Sequence, residues 1–161
     1  MAWRRRLVVA GAALVVLAAA FGVALWGKGP FDGRAYPSSR WDKSMGEIFD
    51  QFRVRVPDCA LDDLRYWSGD YIDDNLYLTF ESDAACVDGF LRDNELAGGT
   101  TVSRDDALRF RDTKTTDWGW YEDGSASYQR LRNRPLRDTE ITVEVATAGE
   151  RRRVYLRGVE F

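Results

Sequence analysis

The residues of this chain best equipped for chemistry are two tryptophans, a crowd of carboxylates and a pair of cysteines. Trp118-Gly119-Trp120-Tyr121 stands between Asp117 and Glu122. Side chains alternate along an extended segment, so both indoles would project from one side with carboxylates beside them. Coplanar rings of that kind stack on sugars, which makes Trp118, Trp120 and Tyr121 the candidate ligand-stacking residues. The competing expectation is that a small domain uses its tryptophans as core.

The carboxylates offer a second chemistry. Residues 58–123 carry 17 acidic and six basic side chains. Two carboxyl groups facing each other across a cleft suffice for a glycosidase-type hydrolase. The spacing pairs no particular two, and most fall at expected turns and helix ends. Asp70, Asp73, Asp74 and Asn75 are a calcium candidate, but they lack the D-x-[DN]-x-[DN]-G order and closing Glu of an EF-hand loop. An acidic hairpin turn explains them better.

The chain contains no histidine. Ser-His-Asp and Cys-His nucleophilic sites and histidine zinc ligands are therefore excluded within it. No phosphate-binding lysine loop, G-x-G-x-x-G, S-x-x-K or G-x-S-x-G is present. The sequence thus nominates no catalytic residue, no metal ligand and no cofactor site.

Charge is distributed unevenly. Residues 27–57 are net +2, 58–123 net −11 and 124–161 net +3, so 27–161 sum to −6. A nucleic-acid partner would call for a basic domain. Arg130, Arg132, Arg134 and Arg137 are the candidates for contact with an anionic surface, either phospholipid headgroups or wall polymers. Alternatively they face the acidic middle of the same domain.

Cys59 and Cys86 are the only cysteines. An even count in an oxidising compartment predicts a disulfide. Their separation of 27 positions is far from the C-x-x-C of thioredoxin-like redox sites.

The compartment is set by residues 7–26, an uncharged run that opens on Leu7 and closes on Trp26, behind MAWRRR. At about 1.5 Å per residue, a helix of this length matches the hydrocarbon core of a bilayer. Arg4, Arg5 and Arg6 predict a cytoplasmic N-terminus and an extracytoplasmic domain. The alternative is a signal peptide cleaved after Ala20, which would release the same domain into the same compartment. The expected partition is 1–6 basic flank, 7–26 transmembrane helix, 27–39 linker and 40–161 folded domain.

The elements that must position the candidates follow from periodicity. Trp41, Met45, Ile48, Phe49 and Phe52 lie on one helical stripe, with Ser39 as N-cap. Phe52, Val54 and Val56 alternate with Arg53 and Arg55 as a strand ended by Pro57. Leu64–Tyr71 and Leu76–Glu81 predict a hairpin, with Leu76, Leu78 and Phe80 facing one way and Tyr77, Thr79 and Glu81 the other. Ser82-Asp83 caps a helix whose apolar face is Cys86, Val87, Phe90 and Leu91, and Gly98-Gly99 follow it. Residues 103–110 suggest a short helix, 113–124 a loop and 128–132 a strand. A final hairpin turning at Ala148-Gly149 pairs Val143 with Val154 and Ile141 with Leu156. That register also sets Glu144 opposite Arg153 and Glu140 opposite Arg157. The parity change at Val159 suggests a bulge at Gly158.

The predicted fold class is α+β, a mainly antiparallel sheet of about five strands with two helices. A basic N-terminus, one span, a short linker and a small two-cysteine domain together resemble the uncharacterised single-pass membrane proteins of high-GC Gram-positive bacteria. The resemblance is one of layout and transfers no functional residue. The leading expectation is an anchored domain that binds or assembles at the cell envelope. Its partners would be the bilayer through 7–26 and a wall polymer or envelope protein. A carbohydrate-binding module using Trp118 and Trp120 comes second, and a carboxylate-dependent hydrolase third.

Overall fold

The structure is a computed structural model that describes residues 31–70, 73–107, 113–121, 126–146 and 150–161. The expected transmembrane run at 7–26 lies outside the described residues. Among those described, no helix is long and apolar enough to cross a membrane.

The fold is α+β, built on one six-stranded antiparallel sheet. Its strands are β1 (Asp62–Asp70), β2 (Asp74–Asp83), β3 (Thr100–Val102), β4 (Tyr128–Leu136), β5 (Thr139–Ala146) and β6 (Arg151–Glu160). The spatial order is β1-β2-β6-β5-β4-β3, so the last strand is inserted at the centre. Among the described residues, four helical segments accompany them: α1 (Met45–Gln51), α2 (Ala84–Asp93), α3 (Arg104–Ala107) and α4 (Thr113–Asp117).

One face of the sheet is aliphatic. Leu76, Leu78 and Phe80 of β2, Ile141, Val143 and Val145 of β5, and Val154 and Leu156 of β6 are all buried there. Their period of two puts every second side chain on one side of the pleat. Ile48 and Phe49 of α1 and Val87 and Phe90 of α2 close over them, with the Phe80 and Phe90 rings edge to face at 5.2 Å. Asp83 caps α2 by accepting from the Cys86 amide at 2.8 Å.

The N-cap of α1 is Ser44, not Ser39. Ser44 forms a reciprocal capping box with Glu47, which satisfies amides that Ser39 is too far upstream to reach. Trp41 is correspondingly left 65% exposed, outside the packed stripe.

The expected strand over 52–56 does not form. Arg53 is left-handed at φ 56, its amide bonds the Asp50 carbonyl and the Val54 amide bonds that of Phe49. This is a Schellman ending, in which one left-handed residue reverses the chain and satisfies the last helix carbonyls. The α2 helix ends the same way at Glu95 (φ 55), with Leu96 bonding back to Leu91. Asn94 then clamps the irregular segment, accepting from the Arg55 amide and donating to its carbonyl, both at 2.8 Å.

The C-terminal hairpin is in a different register. Val143 pairs with Leu156 and Val145 with Val154, a shift of two residues from expectation. A shift of two keeps each side chain on its face, so burial is preserved while the predicted charge pairs are lost. Glu144 instead lies beside Tyr155, and Arg153 binds Asp63 and Glu81 at 2.9 and 3.0 Å. Gly158 is not a bulge, since pairing runs through it on both sides. A Cβ there would meet the Phe52 ring at 2.8 Å, so the glycine makes room for α1.

The Cys59–Cys86 disulfide is formed. It ties the segment before β1 to the first turn of α2, and the Ser82 hydroxyl donates to the Ala60 carbonyl beside it at 2.7 Å. The outer edge of β1 is covered by residues 34–40, which lie in and just beyond the expected linker. Tyr36 and Arg40 donate to the Tyr66 and Ser68 carbonyls at 2.7 Å each. Covering an edge removes a template for strand addition.

Candidate functional site

The second face of the sheet has a different chemistry. Trp67, Tyr77, Tyr128 and Tyr155 are buried there, where alternation alone predicts a solvated surface. Their cover is α4 and the turn that ends it. Gly119 (φ 71) bonds back to Thr116 and Trp120 to Thr115, a third Schellman ending, this time with glycine in the left-handed position. The segment is therefore a helix terminus rather than an extended strand, and the two indoles do not project as a pair.

Trp118 lies half-buried and stacked on Tyr36, with ring centres 4.3 Å apart and planes 10° apart. Trp120 is buried, tilted 56° from Trp118, and its indole donates to the Tyr36 hydroxyl at 3.3 Å. Tyr121 is buried against Tyr155 at 4.5 Å. The flat stacking platform expected from the sequence is replaced by an interlocked aromatic layer. Gly69 assists, because a Cβ there would meet the Trp67 ring at 2.5 Å.

Within this layer lies a small cleft. Tyr77, Trp120, Tyr121 and Tyr155 form its walls, and Thr142, Glu144 and Arg157 supply its polar groups. Cross-strand pairing assembles it: Thr142 is opposite Arg157, and Glu144 is opposite Tyr155. It has room for a water-sized group.

Glu144 is 2% exposed. Its Oε1 accepts from Arg130 Nε at 2.6 Å. Arg130 also donates to the Asp106 carbonyl at 2.8 Å, and Arg104 to the Tyr121 carbonyl at 2.8 Å, which fastens the covering segments to the sheet. Glu144 Oε2 makes no hydrogen bond of ordinary geometry among the described residues, although the Tyr121 hydroxyl lies close enough to the carboxylate to favour its charge, and Arg157 Nε has no partner among them. The Arg157 guanidinium rests over the Tyr77 ring at 5.9 Å. Buried polar atoms in native proteins are satisfied with few exceptions, so two unpaired atoms lining one cleft call for a partner.

Burial pushes the Glu144 carboxyl above its ordinary range, while the Tyr121 hydroxyl and Arg130 oppose this by favouring the charged form. Burial also raises the Tyr121 phenol, with the Glu144 charge adding to it, and pushes Tyr155 up to about 12. Both phenols are neutral donors at physiological pH.

The arginine group is divided by the fold. Arg130 is turned inward to Glu144, Arg134 pairs with Glu140 at 2.7 Å, and Arg132 and Arg137 are exposed. The acidic middle of the chain is met by other cations: Arg151 reaches Asp62 and Glu81, and Arg152 reaches Asp88 at 2.6 Å. In the calcium candidate, Asp74 is engaged by Arg40 at 3.3 Å and Gln51 at 2.6 Å, and the Asp70 side chain lies outside the described residues.

Thr142, Glu144 and Arg157 were not legible as site residues, because alternation assigns them to an outward face. A signal was present nonetheless. Tyr77, Thr79, Thr142 and Tyr155 are poor choices for a solvated face and mark it as covered. Comparison with known proteins finds no matching family model, no matching curated relative and no matching solved structure.

Proposed function

We propose that this chain is a membrane-held extracytoplasmic domain of the bacterial envelope that works by binding, not by catalysis. The run 7–26 behind three arginines supports the location, and the Cys59–Cys86 disulfide is consistent with an oxidising compartment.

The observation that carries the binding reading is the cleft. Its walls are aromatic, and two of its lining residues, Glu144 and Arg157, each hold a buried polar atom without a hydrogen-bond partner of ordinary geometry among the described residues. Such a setting, apolar walls with a few fixed polar groups, suits recognition. Among the described residues, Glu144 is the sole carboxylate lining it. Acid–base hydrolysis of a glycoside needs two, about 5 to 10 Å apart, which favours binding over the hydrolase alternative.

The test is co-sedimentation of the full chain, in zwitterionic detergent, with isolated Gram-positive cell-wall sacculi. Retention without release of soluble fragments is the expected result. Soluble fragments would establish a hydrolase, and failure to sediment would remove the envelope-binding reading.

A further inference from the structure

We propose that the cleft between β5, β6 and the Trp118–Tyr121 turn receives a hydroxyl group of a neutral carbohydrate. The inference rests on the binding reading above and names its ligand class.

The two unpaired atoms set the requirement. Glu144 Oε2 can only accept while the carboxylate is ionised, and Arg157 Nε can only donate. A single group that donates to the first and accepts from the second would satisfy both. A hydroxyl does both. A carboxylate or phosphate would satisfy Arg157 but place a second anion beside a carboxylate that is 98% buried. An ammonium would satisfy Glu144 but has no lone pair for Arg157.

Size and shape agree. The cleft admits a group the size of a water molecule, which suits a hydroxyl and not a whole ring. The rest of the ligand must then lie outside, against the rim. There Trp118 is partly buried, stacked on Tyr36, with its ring centre 5.6 Å from Tyr77 and 6.2 Å from Trp120, both of which line the cleft. A sugar offers both parts at once: hydroxyls to insert and apolar C–H groups to pack against the part of the Trp118 indole that Tyr36 leaves uncovered. A bound water meets the same hydrogen-bonding requirement without any ligand, so water and sugar must be separated experimentally.

Trp120 borders the cleft, so tryptophan fluorescence of the full chain in a zwitterionic detergent provides the readout. Sugar-headed detergents are avoided because they carry the proposed ligand. The probes are neutral tetrasaccharides of glucose, of galactose and of N-acetylglucosamine, with glycerol as a control. At least one tetrasaccharide is expected to give a saturable change, and glycerol none at equal hydroxyl concentration.

Arg157→Lys keeps the cation but removes the Nε donor, and Thr142→Val removes a hydroxyl at constant shape. Each is expected to weaken that saturation at least tenfold with an unchanged melting temperature. The second variant guards against a folding defect in the first. Silence from all three tetrasaccharides overturns the proposal and leaves the cleft a water site. Saturation unaffected by either variant also overturns it, since the sugar then binds elsewhere, although envelope binding itself survives. Retention on sacculi together with silent tetrasaccharides rejects only the ligand class.

Discussion

The two faces of the sheet share the same six strands and are built from opposite materials. The α1/α2 face is aliphatic, closed by two capped helices and stapled by a disulfide. The opposite face is aromatic, closed by short helical turns, and holds a buried carboxylate, a buried arginine contact and unpaired polar atoms. Dispersion and area burial do most of the work on the first face, while the second keeps polar groups whose burial opposes folding. The difference separates the part of the domain that holds the fold from the part whose polar groups the proposed ligand would meet.

Truncation should break that contrast most visibly. Phe90→Ala on the aliphatic face is expected to cost about 3–5 kcal/mol, as an aromatic removed from a close-packed core. Trp118→Ala on the aromatic face should cost about half of that, because the ring is already half solvated. Urea unfolding of both variants measures the difference. Equal losses would mean that the aromatic layer is as much a core as the other.

Next comes the disulfide. Replacing Cys59 and Cys86 together by alanine frees a loop of about 28 residues, worth about 3.6 kcal/mol in the chain-entropy model. The loss should appear as a lower denaturation midpoint, with the spectrum of the aromatic face unchanged. A shift in tryptophan fluorescence would show instead that the latch reaches across the sheet.

Arg130→Met tests the aromatic face from within. Glu144 would be left charged and buried without its ion-pair partner, at a cost of about 3 kcal/mol near neutral pH. The penalty should shrink on acidification, as Glu144 takes up a proton. A penalty independent of pH would show that Arg130 acts through packing alone.

The two faces also carry opposite pH dependences. Burial raises Glu144 above its ordinary 4.5, so between that value and its folded midpoint the folded state holds a proton that the unfolded chain has released. The stability it confers is greatest at low pH and is lost as pH rises from about 4.5 through its folded midpoint. Asp32, which bonds Arg34 and the Tyr66 hydroxyl, is lowered below 3.8, because Arg34 outweighs the opposing effect of burial. Its contribution is present above that value and is lost as pH falls through the lowered midpoint. Comparing the pH dependence of unfolding for Glu144→Gln and Asp32→Asn with the parent should give slopes of opposite sign.

The smallest effect is a gain. Arg53 is left-handed without being glycine, a conformation costing about 1–2 kcal/mol. Arg53→Gly removes that strain but gives back part of it as unfolded-state entropy, so about 0.5 kcal/mol of stabilisation is expected. Thermal melting resolves a shift of that size. A loss would mean that the Arg53 side chain matters more than its backbone.

Much of the aliphatic face was legible. The stripe of Ile48, Phe49 and Phe52, the alternation of Leu76, Leu78 and Phe80, and the Asp83 cap all reappear where periodicity put them. Those signals are local, and local spacing decides which side chains share a face. The aromatic face was legible only as its complement. Glu144 was correctly turned away from the aliphatic core, but whether that outer side met water depended on residues 113–121, which carry no periodicity. Strand 52–56 misled for a related reason, since a helix ending at a non-glycine left-handed residue alternates in sequence as a strand does.

The sequence by itself determined the α2 helix with its cap, the apolar faces of β2, β5 and β6, the cysteine pairing and the absence of histidine chemistry, but not the strand expected over 52–56 or the loop expected over 113–124. Each of the features it determined follows from composition or from the two short periods of backbone geometry. Only the tertiary structure decided that β6 enters the middle of the sheet, that the hairpin slips by two residues, and that Glu144 and Arg157 share a covered cleft. Strand order, register and burial depend on contacts between residues far apart in the chain. A slip of two residues also leaves every local pattern intact.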